Sequence, residues 1–248
     1  MNSYTMHTPT LTKINKIILI TAGALFLLQS ILSVNGIRLE GILGLIPEKM
    51  ISGHLYQLVT YPFVAPGFFA ILFNGMVIWF IGSDLEEKWG EKTYIKFFFF
   101  SILGAGLIYT LLGISVFNST MSYFTPMMGL SGFCYSLLFA YAIIFADRNL
   151  SFMMLFPVKG KYFCMLIAGV ELYMAFFSSS KASAWGHLGA ALCGFLFLRV
   201  KSLSIAKGKL MEFKRQQNVE KAKGRLYIVP DEETEKKKPN KDDPKYWQ

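Results

Sequence analysis

The amino-acid sequence predicts an all-α membrane protein built as a bundle of six transmembrane helices. Hydrophobic residues make up 53% of its 248 residues, and charged residues make up only 17%. Soluble domains carry roughly a quarter charged residues, so this composition favours a polytopic membrane protein. A hydrocarbon core about 30 Å thick is crossed by about 20 apolar residues in a helix, because lipid satisfies no backbone group. Six segments approach this length, at 17–36, 65–83, 93–116, 130–146, 161–178 and 184–200.

The first segment follows Lys13 and Lys16 and is too long for the apolar core of an ordinary signal peptide. It lacks a clear small-residue cleavage site, so we expect a retained membrane anchor. Later basic residues concentrate in the second and fourth connections and in the C-terminal tail, whereas the third connection has none between Val116 and Met128. Lys and Arg favour cytoplasmic loops, which predicts that both termini are cytoplasmic.

The apolar segments divide the chain into an N-terminal cytoplasmic segment at 1–14, a membrane domain at 15–202 and a charged tail at 203–248. Lys, Glu and Asp dominate the tail, which predicts disorder. The connection at 36–64 is unusually long for two neighbouring helices. It combines apolar residues and prolines with few charges, which predicts a loop packed against the outer membrane face.

The formal net charge of +9 does not indicate nucleic-acid binding. About half of the basic residues follow Val200, interspersed with acids and without a platform of aromatic and basic residues. A cytoplasmic tail beside an anionic lipid surface explains this charge better. Cys134, Cys164 and Cys193 lie in separate apolar segments without the spacing of a zinc site, so no metal is expected.

The fourth and sixth segments begin with residues that could carry out hydrolysis. Ser131 lies in the first turn of the fourth segment, and His187 lies near the first turn of the sixth. Both segments run in the same direction, so the two side chains lie at similar depth, as a nucleophile and its general base require. The stretch from Ser131 to Ala146 spans only about 24 Å as a helix, too short to cross the bilayer. Ser131 is therefore expected at the bottom of a hydrated cavity.

Two glycines, Gly129 and Gly132, lie on either side of the serine in the sequence. Because they carry no side chain, they leave room for the sixth helix or for a substrate. The free amides at a helix N-terminus also favour a developing oxyanion. An alternative is structural: small residues at the end of a transmembrane helix usually serve packing, and a membrane histidine can serve hydrogen bonding. The soluble GxSxG nucleophile elbow does not fit, because Phe133 follows Gly132 and no strand precedes the serine.

Over residues 15–202 the sequence resembles the rhomboid family of intramembrane serine proteases. The family motif GxSGxxY is matched at Gly129, Ser131, Gly132 and Tyr135. The resemblance implies that Ser131 is the nucleophile and that Tyr135, one helical turn later, stacks on the imidazole of the base. It also implies a bacterial inner (plasma) membrane protein.

The family motif HxxGxxxG is matched in the sixth segment at His187 and Gly194, with Ala190 at the middle glycine. The added methyl group of Ala190 is expected to affect helix packing and not the chemistry. By resemblance, His187 is the general base of a dyad that lacks an acid. Gly189 and Gly194 are expected to bring this helix close to its partner.

The second helix is similar to the family motif HxxxN, whose His and Asn help to line the oxyanion hole. Asn74 fits this motif, but Ala70 stands in the His position. Losing one oxyanion donor costs about 10²- to 10³-fold in rate, so the resemblance implies a weak or unusually selective protease. Tyr56 and Gln57 stand where many members have Trp and Arg, which is a milder difference.

Other ionisable residues receive structural or surface roles. His54 is expected at the surface of the first connection, and Asp84 and Glu86 are expected at the membrane interface. Glu171 falls near mid-membrane, where a bare carboxylate is costly. We expect it to face inward in a structural role, either hydrogen-bonded or protonated.

Three hypotheses about function follow. The first is a rhomboid-like protease in the lipid bilayer that cleaves single-span membrane proteins in or near their transmembrane segment, without a metal or organic cofactor. The second is a non-catalytic relative that binds membrane clients, favoured by Ala70 and opposed by the retained Ser131 and His187. The third is a transporter, which predicts paired charges or broken helices at mid-membrane, where only Glu171 is a candidate. No pattern indicates the substrate, the cleavage site or the oligomeric state.

Overall fold

The computed structural model describes residues 10–115, 124–146, 149–152, 156–178 and 181–223. Within these residues, four helices are long and apolar enough to cross a membrane, namely Lys13–Val34, Phe68–Trp89, Glu91–Ser115 and Ser183–Leu203. Two shorter apolar helices accompany them, at Ser131–Ile144 and Tyr162–Phe177. Each of the six predicted segments overlaps one of these helices, and the predicted all-α membrane bundle is confirmed.

The elements are numbered in chain order. The helices are α1 (Lys13–Val34), α2 (Glu40–Leu43), α3 (Pro47–Ile51), α4 (Gln57–Thr60), α5 (Phe68–Val77), α6 (Ser83–Trp89), α7 (Glu91–Ser115), α8 (Ser131–Ile144), α9 (Gly160–Phe177) and α10 (Lys181–Lys223). A 3-10 turn at Tyr61–Phe63 follows α4, and a π-helical turn at Ile78–Gly82 joins α5 to α6. Two short strands, β1 (Asn149–Phe152) and β2 (Phe156–Lys159), pair with each other in antiparallel orientation, which the sequence did not predict.

The outward faces of the apolar helices, both long and short, are exposed and apolar, the reverse of a soluble bundle. On α1, Ile20, Leu27 and Ile31 are exposed, and on α9, Met165 and Leu166 are exposed. Apolar surface of this extent on helices of spanning length indicates contact with lipid. The chain is therefore an integral membrane protein.

A buried glutamate joins α6 to the N-terminus of α1. Glu86 is only 4% exposed. Its carboxylate accepts hydrogen bonds from the amides of Ile14 and Asn15, at 2.9 and 3.1 Å, and from the Thr12 hydroxyl at 2.5 Å. Amides in the first turn of a helix lack an intrahelical acceptor, and a carboxylate there also interacts favourably with the helix dipole. Glu86, which the sequence analysis expected at the membrane interface, is therefore buried against the start of α1.

The long first connection is tied to the segment that precedes α8. The buried Gln57 side chain bonds two backbone groups of that connection. Leu45 and Met127 exchange backbone hydrogen bonds of 3.0 and 2.8 Å. The amide of Gly129 donates to the carbonyl of Tyr61 at 3.0 Å. These bonds fix the point at which the chain enters α8.

The helix α8 is short and packs against α5, α7 and α9. Its 14 residues rise about 21 Å, against about 30 Å for a hydrocarbon core. Small residues bring α10 close to α8, as predicted: a Cβ on Gly194 would lie 3.1 Å from the Cβ of Ser136. The Ser136 hydroxyl donates to the carbonyl of Ala190 at 2.7 Å. Ala190 is fully buried, so its extra methyl group fits within this contact.

The last helix is longer than the sequence predicted. Because α10 continues to Lys223, the expectation of a disordered tail from residue 203 is wrong for residues 203–223. The remainder of that predicted tail and most of the predicted N-terminal segment lie outside the described residues. The chain divides into two compact units, Met1–Val200 and Lys201–Gln248, and the first contains the membrane bundle.

Candidate active site

A cavity of about 370 Å³ lies among α5, α8, α9 and α10, within the first compact unit. Its polar lining side chains include Asn74, Ser131, Tyr135, Glu171, Ser183 and His187. A single water needs only about 10–15 Å³ of such space, so several waters or a stretch of substrate backbone fit. The predicted nucleophile, base, oxyanion donor and stacking tyrosine all line this cavity.

Ser131 is the first residue of α8 and follows a turn that requires glycine. Gly129 has a φ of +91°, a conformation that other residues rarely adopt. Its amide is held by the carbonyl of Tyr61. A Cβ on Gly132 would lie 3.9 Å from Cδ2 of His187, so the imidazole lies beside the first turn of α8. Both predicted glycines therefore serve the geometry of the site.

Asn74 on α5 faces the serine hydroxyl. Its Nδ2 lies 3.2 Å from Ser131 Oγ, and its Oδ1 lies 3.5 Å from the same atom. The shorter contact places the amide as a donor to the serine oxygen. Ala70 lies one helical turn earlier on α5 and has no side-chain donor to add. Asn74 is therefore the side chain placed to donate to an oxygen near Ser131.

The imidazole of His187 is held by two neighbours. It stacks on Tyr135 with ring centroids 5.2 Å apart and an interplanar angle of 21°. Its Nδ1 lies 2.5 Å from Oε1 of Glu171. The Tyr135 hydroxyl donates to Oε2 of Glu171 at 2.6 Å. The stacking implied by the family resemblance is present, and a carboxylate that the resemblance did not imply is bonded to the histidine.

Ser131 and His187 share the cavity, and their hydrogen bonds within the described residues go to other partners. Ser131 Oγ pairs with Asn74, and His187 Nδ1 pairs with Glu171. Because the closer Asn74 contact donates to Oγ, the serine retains its own O–H, which a proton transfer to His187 would require to point toward Nε2. Catalytic hydrogen bonds of this kind often tighten only when the substrate is bound.

Glu171 lines this cavity and bonds to His187, a contact that the sequence reasoning did not predict. The signal was its position as a carboxylate in an apolar segment, since such residues mark function more often than packing. His54, by contrast, lies exposed in the first connection, as expected. In the part of the chain that the structure describes, no group of three or more His, Cys, Asp or Glu side chains could hold a metal ion.

The fold and this cavity define a polytopic membrane protein whose helices enclose a polar site containing a serine, a histidine and a glutamate. The Rhomboid domain model matches residues 52–203, which is more than half of the chain. The chain therefore belongs to the rhomboid family, whose members are intramembrane serine proteases or pseudoproteases. A comparison with curated proteins found no match.

Proposed function

We propose that this protein is a rhomboid-type intramembrane serine endopeptidase that hydrolyses peptide bonds in or near the transmembrane segments of membrane proteins. The observation that carries the proposal is the position of Ser131, Asn74, Tyr135 and His187 around one cavity inside an apolar bundle. The short α8 supports it, because a helix of that length leaves space for loop and water at one end. Hydrolysis requires that water.

In the proposed reaction, Ser131 Oγ attacks the scissile carbonyl carbon while Nε2 of His187 takes the serine proton. The carbonyl oxygen becomes an oxyanion, for which the Ser131 amide and Nδ2 of Asn74 are the donors. The C–N bond then breaks, and His187 gives its proton to the leaving amine. A water deprotonated by His187 hydrolyses the acyl-enzyme ester and frees Ser131. These steps need no metal or organic cofactor.

The proposed substrates are single-span membrane proteins that enter from lipid beside α9 and unwind near small or helix-breaking residues, as the family resemblance implies. The exposed apolar face of α9, with Met165 and Tyr173, supports contact with lipid on that side. We also propose a bacterial inner (plasma) membrane location with both termini cytoplasmic, which rests on the distribution of Lys and Arg. Ser131 and His187 then lie toward the outer face.

A second candidate function is the binding of membrane clients without cleavage. Two observations favour it: Ala70 provides no second oxyanion donor, and Ser131 is hydrogen-bonded to Asn74 instead of His187. The stacked and hydrogen-bonded imidazole argues against it, because a pure binding protein needs no oriented base. Covalent reactivity of Ser131 separates the two functions.

Labelling and cleavage test the proposal together. The full-length protein is reconstituted in liposomes and treated with a fluorophosphonate probe, and its cleavage of a single-span model substrate is followed by gel. We expect wild type to be labelled and active, Ser131→Ala to be neither, and Ala70→His to keep or raise the cleavage rate. Equal processing by wild type and Ser131→Ala would overturn the protease proposal in favour of client binding.

A further inference from the structure

The helix α9 presents a carboxylate to the interior of the bundle. Glu171 is 6% exposed, whereas its neighbours Val170 and Leu172 are 55% and 47% exposed. Cys164 and Ala175, on the same helical face, are also buried. A charged side chain within a membrane helix is costly, so its partners indicate its role.

Both oxygens of this carboxylate bond to residues of the candidate active site. Oε1 lies 2.5 Å from Nδ1 of His187, and Oε2 accepts the Tyr135 hydroxyl at 2.6 Å. Tyr135 also stacks on the same imidazole, so the three side chains hold one another. A carboxylate that served only to join helices could use donors anywhere on α8 or α10. Here both donors belong to the base and to the ring that supports it.

The bond at Nδ1 decides which nitrogen of His187 can act as a base. A neutral imidazole carries one proton, and a carboxylate at Nδ1 favours the form in which Nδ1–H donates. Nε2 then holds a lone pair that can accept the proton of Ser131. The same negative charge stabilises the imidazolium formed by that transfer. Without the carboxylate, the Nε2–H form competes, and this form accepts no proton at Nε2.

We propose that Glu171 is the positioning residue of His187, so that the site works as a Ser131–His187–Glu171 triad in which Tyr135 fixes the carboxylate. The inference rests on the proposed protease function and replaces the dyad without an acid. Glu171 acts through the imidazole and not on the reacting atoms.

The central test is Glu171→Gln, which keeps the size of the side chain and removes its charge. The amide can donate to Nδ1 or accept from it, so it no longer selects the required tautomer. We expect kcat for a single-span model substrate, and the rate of fluorophosphonate labelling at Ser131, to fall about 10²- to 10⁴-fold with KM little changed. The upper limit is the effect of the corresponding Asp→Asn change in a soluble serine protease, about 10⁴-fold.

Two further variants separate positioning from folding. Glu86→Gln makes the same change at a buried glutamate outside the cavity, and should lower thermal stability without changing the labelling rate per folded molecule. Glu171→Asp keeps the charge but withdraws it by one methylene, so its rate should lie between those of wild type and Glu171→Gln. If Glu171→Gln fails to fold, the labelling rate of Glu171→Asp is the test. A loss of about tenfold or more in that rate supports the positioning role, and an unchanged rate overturns it.

Nitrogen-15 NMR of histidine-labelled protein gives a readout that does not depend on activity. The chain has 3 His, and the His187 signals are assigned by their loss in His187→Ala. Wild type should show the Nδ1–H tautomer, and Glu171→Gln should show a mixture or the other tautomer. An unchanged tautomer, or labelling of Glu171→Gln within about threefold of wild type, overturns the inference and leaves the protease proposal standing. Failure of wild type itself to label overturns the protease proposal, and the triad with it.

Discussion

Replacing Asn74 with Ala is the substitution whose effect can be worked out most directly from the structure. It removes the amide that lies 3.2 Å from Ser131 Oγ. In the structure this amide donates to the serine oxygen, and in the proposed reaction the same Nδ2 donates to the oxyanion. Because the preceding turn of α5 carries Ala70, no imidazole can replace the lost donor.

The two roles of Asn74 differ in the free energy that each contributes. A neutral hydrogen bond in the resting state contributes about 0.5–1.5 kcal/mol, which corresponds to a rate effect of about 2- to 13-fold. A preorganised oxyanion donor contributes about 2.7–4 kcal/mol, or about 10²- to 10³-fold in kcat. The oxyanion contribution dominates, so we expect Asn74→Ala to lower kcat toward the upper end of that range, with little change in KM.

The assay is cleavage of a single-span model substrate in liposomes, with kcat and KM measured separately. Val77→Ala is the matched control, because Val77 lines the same cavity from the same helix and carries no polar side-chain atom. Its rate should stay within about tenfold of wild type. A loss below about tenfold in Asn74→Ala would show that the residue only orients the resting serine, and would refute its role in stabilising the oxyanion.

Two further predictions concern the packing that supports the site. Glu86→Gln weakens the cap of α1 and should lower the free energy of unfolding by about 1–2 kcal/mol. Thermal unfolding should then show a lower midpoint. An unchanged midpoint would show that the cap contributes little. Gly194→Val places methyl groups where even a Cβ would lie 3.1 Å from Ser136, so it should lower stability by about 1–3 kcal/mol and reduce labelling of Ser131. Leu196→Ala, at an exposed position on the same helix, is its control and should leave labelling unchanged.

The helices were predictable because a helix that crosses the bilayer needs about 20 predominantly apolar residues, which an average of hydropathy over that length detects. The short α8 was predictable for the same reason, since its apolar run ends before it is long enough to span. The paired strands at 149–152 and 156–159 were not, because strands of four residues leave no periodic signal. The extension of α10 beyond residue 203 was also missed, because a polar, charged segment resembles both a solvated helix and a disordered tail.

Single side chains depend on contacts that the local sequence does not contain. Glu86 and Glu87 are adjacent and chemically identical, yet Glu86 is buried under α1 and Glu87 is exposed. Only the return of the chain's N-terminus to α6 distinguishes them. Glu171 was recognised as inward-facing from its cost in lipid, but its bond to His187 depends on the relative rotation of α9 and α10. Periodicity defines which face of a helix is buried and gives no information about which residue it meets.

The short α8 and the buried glutamate meet one physical constraint of the proposed hydrolysis, which needs water and charge where lipid disfavours both. The shortfall of α8, about 9 Å relative to the hydrocarbon core, leaves space that loop and water can fill beside Ser131. Glu171 is tolerated because both of its oxygens are hydrogen-bonded within the bundle. Those same two bonds hold the imidazole in its stacked orientation. The contacts that make a carboxylate acceptable in the membrane are therefore the same contacts that would prepare His187 for its proposed role as a base. The stability and the proposed reactivity of this site should change together when either bond is removed.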